Sequence, residues 1–420
     1  MSIDKVEILQ RKGYKKTKLG WIPEEWGVEK LGDLSLVKGQ YGVNEAAVDY
    51  NPNLPAYIRI TDITEEGWFD ERKRKSVKIK ETEDYTLEVN DIVFARTGAT
   101  VGRTYLHQKI NMPLIFAGFL IRFRVNQNRL LSLFLKYYTQ SSNYWRWVKI
   151  YSLRSGQPGI NGKEYSSLPV YLPPIQEQKA IANCLSTWDR AIEKQSQLIQ
   201  AKQTQKKALM QQLLTGKKRL LGFTEEWEEY SYGDLLITVN RPVDWNDSEK
   251  YELISVRRRS GGLFHRDSLF GNEILTKKLF TAKKGDFLIS KMQILHGASG
   301  LVTEEFDGMK ISGSYIAVVP KDNSILSTFF LEWYSKVPYF YHQTYRSSYG
   351  VHIEKMTFSY KLFLKEKILL PSITEQIAIA NILNTANKEI ALLQQQLQQL
   401  QQQKKGLMQQ LLTGKKRLKY

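Results

Sequence analysis

Leu209–Leu220 reads LMQQLLTGKKRL, and Leu407–Leu418 reads LMQQLLTGKKRL again, 198 residues later and without a single change. Upstream, PPIQEQKAIAN (Pro173–Asn183) matches PSITEQIAIAN (Pro371–Asn381) at the same spacing. The stretch between these anchors is therefore duplicated with no insertion or deletion. Weaker matches extend the repeat outward at nearby spacings. Glu24-Glu25-Trp26 and Gly32-Asp33-Leu34 answer to Glu225-Glu226-Trp227 and Gly233-Asp234-Leu235. Asn90–Arg96 (NDIVFAR) resembles Gly285–Lys291 (GDFLISK), Gly118 answers to Gly313, and Arg154-Ser155 answers to Arg346-Ser347. The chain is a variable segment followed by a nearly constant one, written twice.

The constant segments have the signals of long helices. Ser372 with Glu375 three residues on is a capping-box pattern, and Pro174 opens the same turn in the first copy, where its missing N–H is harmless. Gly216 and Gly414 fit the stop, and Lys217-Lys218-Arg219 and Lys415-Lys416-Arg417 suit the negative end of a helix dipole. Within the second helix the apolar spacing is 4-3-4-3: Ile379, Leu383, Ala386, Ile390, Leu393, Leu397, Leu400, Lys404, Leu407, Leu411. That is a heptad seam. The first helix carries it as Ile181, Leu185, Trp188, Ile192, Gln195, Ile199, Lys202, Lys206, Leu209, Leu213, weakened where Gln195, Lys202 and Lys206 intrude. Two such helices, each on the order of 60 Å long at about 1.5 Å per residue, should pair with each other. The variable segments mix strand and helix signals. Val89–Arg96, Phe119–Val125, Tyr251–Val256, Asp286–Ser290 and Tyr315–Val319 read as strands, and Leu130–Tyr138 and Ser327–Tyr334 as short helices.

Composition narrows the function. With 61 Lys and Arg against 43 Asp and Glu, the net charge is +18, and a polyanion is the leading partner. No apolar run is long enough to span a bilayer, and the opening MSIDKVEILQRKGYKK has no signal-peptide core, so a cytoplasmic chain without membrane contact is expected. The single cysteine, Cys184, excludes an internal disulfide framework and a four-cysteine zinc site.

The order variable domain, constant helix, variable domain, constant helix resembles the specificity subunits of Type I restriction–modification enzymes. GWIPEEW (Gly20–Trp26), LPPIQEQ (Leu172–Gln178), LPSITEQ (Leu370–Gln376), the two LMQQLLTGKKRL ends, and DIVFAR and DFLISK carry the resemblance, which covers nearly the whole chain. It implies an α+β protein with two globular α/β target recognition domains separated by two long helices that form an antiparallel coiled coil, in a pseudo-two-fold repeat. The expected segments are a first recognition domain (1–172), a central helix (173–216), a second recognition domain (217–370) and a C-terminal helix (371–420). Each domain would read one half of a split, asymmetric site in double-stranded DNA. The helices would fix the gap and dock two methyltransferase subunits, which carry S-adenosylmethionine and methylate adenine. Two restriction subunits, carrying ATP and Mg, could join them.

No chemistry of its own is expected of this chain, which needs no cofactor on this reading. The Asn-Pro-Pro-aromatic motif of adenine methyltransferases is absent: Leu172 precedes Pro173-Pro174, and Asn53 follows Asn51-Pro52. There is no Gly-x-x-x-x-Gly-Lys-Ser/Thr loop. Glu71-Arg72-Lys73 imitates a nuclease Glu-x-Lys but lies in a basic run. His107, His265, His296, His342 and His352 lack metal-ligand spacing and read as surface or readout residues. Tyr144, Trp145 and Trp147 read as core.

Sequence reading by a protein needs Arg, Lys, Gln or Asn at base edges and other cations on phosphates. Loops that follow the expected strands supply the candidates. In the first domain these are Arg59, Arg96, Thr97, Arg103, Arg154, Ser155 and Gln157, with Arg72, Lys73, Arg74 and Lys75 as phosphate contacts. In the second they are Lys291, Gln293, His296, Arg346, Ser347 and Tyr349, with Arg257, Arg258 and Arg259 as a basic cluster.

Overall fold

The computed structural model describes residues 13–17, 19–80, 82–350 and 356–418. His352 and most of the opening stretch lie outside the described residues. The chain forms two compact units. One runs to Gln195 and resumes at Gln396; the other is Ser196–Gln395.

In the first unit, Ser35–Tyr41, Leu120–Val125, Ile92–Ala95 and Thr104–Leu106 form an antiparallel sheet in that order. A second sheet contains Leu114–Phe116, Ala56–Ile58, Lys75–Val77 and Ala47–Asp49, with one parallel pair between the first two. The central strands explain the apolar runs in the sequence. Ile92, Phe94, Ile121 and Phe123 pack toward the helices Ser132–Tyr138 and Ser142–Tyr151, while Val93, Ala95 and Leu120 pack toward the second sheet. A strand buried on both faces loses its polar alternation. Tyr144 and Trp147 are core, but Trp145 is exposed, because on this helix it points away from the buried side.

The second unit repeats the plan. Leu236–Val239, Tyr315–Pro320, Phe287–Ser290 and Ser299–Leu301 form the antiparallel sheet. Leu263–Phe270, Lys250–Val256, Lys310–Ser312 and Leu279–Thr281 form the other, again with one parallel pair. The short helices are Thr328–Tyr334 and Pro338–Arg346. The expected strands and short helices are all present to within a few residues at their ends.

The long helices are Ile175–Leu213 and Ile373–Leu411. Their cross-helix pairs run Asp189–Lys404, Gln195–Gln396, Lys202–Glu389 and Lys206–Asn387. Numbers fall on one helix as they rise on the other, so the pairing is antiparallel. The polar residues that interrupt the first seam are thus matched by polar partners. The apolar ends of the helices enter the domain cores. Ile181, Ala182, Leu185, Met408, Leu411 and Leu412 complete the first, and Leu213, Leu214, Ile379, Ala380 and Leu383 complete the second. Gly216 and Gly414 take φ of +69° and +68°, the left-handed turn that ends a helix cheaply only with glycine.

Two readings of the constant motifs are corrected by the structure. Glu375 does not close a capping box with Ser372; its fully buried carboxylate accepts Nε (2.8 Å) and Nη2 (2.7 Å) of Arg219. Glu177 likewise accepts Nε and Nη2 of Arg417, and also the indole N–H of Trp26 at 2.9 Å. The arginine of GKKRL therefore does not serve the dipole of its own helix but holds the glutamate that opens the other. The neighbouring glutamine is a second latch. Gln178 accepts from the Leu131 N–H and donates to the carbonyls of Arg129 and Pro173, and Gln376 does the same with Ser327, Ile325 and Pro371. With every polar atom matched, these buried groups fix the start of each long helix against its domain.

Candidate nucleic-acid interface

The aspartate before each central strand ties down the turn that leads into it. Asp91 is buried, accepts the Glu88 N–H at 2.9 Å, and binds Arg124 through Nε (2.7 Å) and Nη2 (3.0 Å), with Arg122 at 3.4 Å. Asp286 accepts the Lys283 N–H at 2.8 Å and binds Arg241 at 2.7 and 3.1 Å. The motif is shared, but its cation comes from a different strand or loop in each unit.

In the first unit the strand Ile92–Ala95 delivers Arg96 to a rim. The Arg96 N–H donates to Phe119 O, its carbonyl accepts from Ile160, and its guanidinium lies 4.9 Å from the centre of the Tyr41 ring. Thr97 bridges Gly159 and donates to Pro158 O, and Gln157 lies beside Gly98. Tyr41, Phe119 and Gln157 are exposed around this point. Among the described residues no carboxylate pairs with Arg96, so its charge is available. Ser155 is exposed nearby in sequence.

The other candidate cations of this unit are paired. Arg59 makes a two-point bond to Asp62 (2.8 and 2.7 Å). Arg103 reaches Glu65 (3.1 Å) and Ile63 O, and Arg154 grips Glu164 at 2.6 and 2.7 Å. In the run 72–75, Arg72 and Lys73 share Asp70, Arg74 meets Glu71, and Lys75 meets Asp49 at 2.6 Å. Four cations thus share three carboxylates, and Arg72 and Lys73 remain exposed.

In the second unit Lys291 occupies the place of Arg96. Its N–H donates to Ser314 O and its ammonium to Gly313 O at 2.8 Å, with Met292 exposed beside it. The hairpin that carries Arg257, Arg258 and Arg259 turns through Arg259 and Ser260 at positive φ, and docks by Arg259 N–H to His296 O and Ser260 N–H to Gly297 O. Arg257 lies over the Phe264 ring at 4.4 Å. Arg258, Arg259 and His296 line one cleft with Lys206, Lys336 and Tyr341, none of which the sequence marks as a site residue. Gln293 is half-buried at the turn before His296. Arg346 is bound to Glu366, Tyr349 is exposed, and Ser347 is buried at 1 % exposure, so its hydroxyl is not presented to a ligand. His107 is also buried, against Tyr105, and is not a surface residue.

Lys136, on the short helix of the first unit, carries an unusual charge. It is 2 % exposed, and its ammonium sits 3.2 Å from the centre of the Trp68 ring. Burial pushes it down to about 8 from the ordinary 10.5; Asp189 opposes this shift and Lys404 adds to it. Between these two values the unfolded chain binds more protons than the folded one, so this lysine's penalty on stability fades as pH rises through the window. Lys136→Met should therefore be relatively more stable than wild type at pH 7, with the gap closing toward pH 10.5. Thermal midpoints of both chains across that range check this; a gap that does not narrow contradicts it.

The chain matches the Type I restriction modification DNA specificity domain twice, over residues 23–203 and 224–402, and belongs to that family. It is 25% identical over 439 residues to a chain of Methanocaldococcus jannaschii assigned as the type I restriction enzyme MjaX specificity subunit, covering 99% of each. It is 24% identical to the MjaVIII specificity subunit of the same organism, covering 95% of this chain and 94% of that one. The fold matches the HsdS subunit of Thermoanaerobacter tengcongensis (TM-score 0.52, 18% identity, 94% and 98% covered). It also matches a type I R-M system chain from work on complex assembly and conformational transition (TM-score 0.57, 18% identity, 94% and 99% covered). The protein is a DNA sequence-recognition subunit of the type I restriction kind. Among the described residues no helix is long and apolar enough to cross a membrane.

Proposed function

We propose that this chain reads a split, asymmetric DNA site, one half per domain, and directs partner subunits to it without performing chemistry itself. The observation that carries this reading is a shared framework with different rims. The same buried aspartate and central strand deliver Arg96 with Tyr41 and Gln157 in one unit, and Lys291 with Met292 and the Arg258–Arg259 hairpin in the other. Two rims with different donors select different bases. On this reading the paired helices set the gap and dock two methyltransferase subunits, which bring S-adenosylmethionine and methylate adenine. Restriction subunits would bring ATP and Mg. Family membership supports the assembly, and the +18 charge supports the duplex as partner.

Co-expression with a type I methyltransferase subunit tests the division of labour. The pair should methylate a duplex that holds the site, and the chain alone should not. Methyl transfer by the chain alone would overturn the noncatalytic reading. Within the first unit, Arg96→Ala should cost about 1–3 kcal/mol of discrimination at one position of one half-site and leave the other half unchanged. Binding to a library randomised at each position reads this directly, and a uniform loss over all sequences would make Arg96 a phosphate contact instead.

A further inference from the structure

The two units diverge at one set of equivalent positions, where the long helices meet the short helix of each domain. In the first unit Lys404 donates to Asp189 at 2.5 Å, and the Tyr137 hydroxyl donates to the same carboxylate at 2.7 Å. In the second unit the repeat places Lys206, Asn387 and Trp333 at those three positions. Asn387 accepts from Lys206 at 2.7 Å but carries no charge to balance it. Lys206 and Lys336 both lie on the Trp333 ring, at 5.9 and 4.4 Å from its centre. Burial, and then the charge of Lys336, push Lys206 below the usual lysine range. Arg258, Arg259 and His296 line the same cleft, which measures about 780 Å³. Lys336 is paired with Glu332 at 2.7 Å, but among the described residues no carboxylate lines the cleft or pairs with Lys206, Arg258 or Arg259. Lys206 is half-buried and Arg258 and Arg259 are exposed beside it, so the lysine is held at a cost that an anion entering the cleft would relieve.

We propose that this cleft receives a backbone phosphate of the bound duplex, an anchor that the first unit lacks because Asp189 already neutralises its lysine. The proposal rests on the DNA-recognition role of the chain. DNA is favoured over an acidic protein surface because Arg258, Arg259 and His296 lie on the turns that follow Lys250–Val256 and Phe287–Ser290, the latter being the strand that delivers Lys291 to the rim. A phosphate there would contact the cleft while the rim reads bases.

Asn387→Asp tests this with a near-isosteric change that supplies the missing counter-ion. Full-length chain, with its methyltransferase subunit, is titrated against a mixed-sequence duplex over a range of salt. The variant should bind several-fold more weakly, and the slope of log affinity against log salt should fall in magnitude by about 0.9, the loss of one phosphate. Lys206→Met should reproduce both effects. Unchanged affinity and slope in both variants would overturn the proposal. So would weakened binding of the methyltransferase subunit with DNA binding intact, which would assign the cleft to an acidic protein surface. A thermal midpoint that rises with inorganic phosphate in wild type and not in the variant, without a change in DNA slope, would assign it to a free anion and overturn it as well. A wild-type complex with no salt-dependent duplex binding would instead remove the recognition role on which the proposal stands.

Discussion

Arg219→Ala should destabilise the second unit by about 3–5 kcal/mol, and Arg417→Ala should do the same to the first. Each arginine is partly exposed, but the carboxylate it serves is not: Glu375 and Glu177 are both at 0 % exposure. Removing the cation leaves a buried anion with its desolvation cost uncompensated. The two losses should differ in degree. Glu177 keeps the indole N–H of Trp26, whereas the indole N–H of the equivalent Trp227 has no partner, so Glu375 is left with less. At the usual entropy for units of this size, the shift in midpoint is on the order of 10 °C. Calorimetry of the two variants checks it. Loss confined to one transition in each variant supports the reciprocal bracing, and shifts of under a degree in both would contradict it.

Asp91→Ala should destabilise the first unit by a similar amount, about 3–5 kcal/mol, because it removes a fully buried carboxylate that two guanidinium groups share, leaving Arg124 with Glu88 and Arg122 with Gln40 and two carbonyls. Arg122 is 8% exposed and can recover little solvation, and burial already holds it below the usual arginine range. The Glu88 N–H at the start of the strand also loses its acceptor. Asp286→Ala removes the same motif from the second unit at a smaller cost, about 1–3 kcal/mol, since Arg241 is a single and more exposed cation. The ordering of the two variants in chemical denaturation is the discriminating result. Equal losses would mean that the backbone hydrogen bond, common to both, carries the effect.

The duplication, the long helices and the central strands were legible because each rests on a local pattern. The heptad positions from Ile379 to Leu411 are buried or half-buried throughout, as their spacing requires. The apolar run at Ile92–Ala95 marks a strand covered on both faces. What was not legible depends on contacts that residue spacing alone does not reveal. Arg219 resembles a dipole complement until Glu375, 156 residues on, is seen to hold it. Nothing in the pattern of the basic run 72–75 shows that Asp49, Asp70 and Glu71 pair with its cations. Arg59, Arg103, Arg154 and Arg346 are paired in the same way, whereas the candidates Arg96, Lys291, Arg257, Arg258 and Arg259 have no carboxylate partner among the described residues. Lys206 reads only as an interruption of the seam, and Lys336 carries no signal, because a lysine on a heptad seam and a lysine after a short helix give no sign of sharing a cleft.

Genome-wide mapping of methylated adenine in the source cells, with and without this gene, is the most direct test of a two-domain reader. Loss of a single motif, two short defined halves of different sequence around a fixed unspecified gap, is the expected result. Loss of a continuous or palindromic motif, or no loss while the partner methyltransferase subunit is expressed, would contradict it.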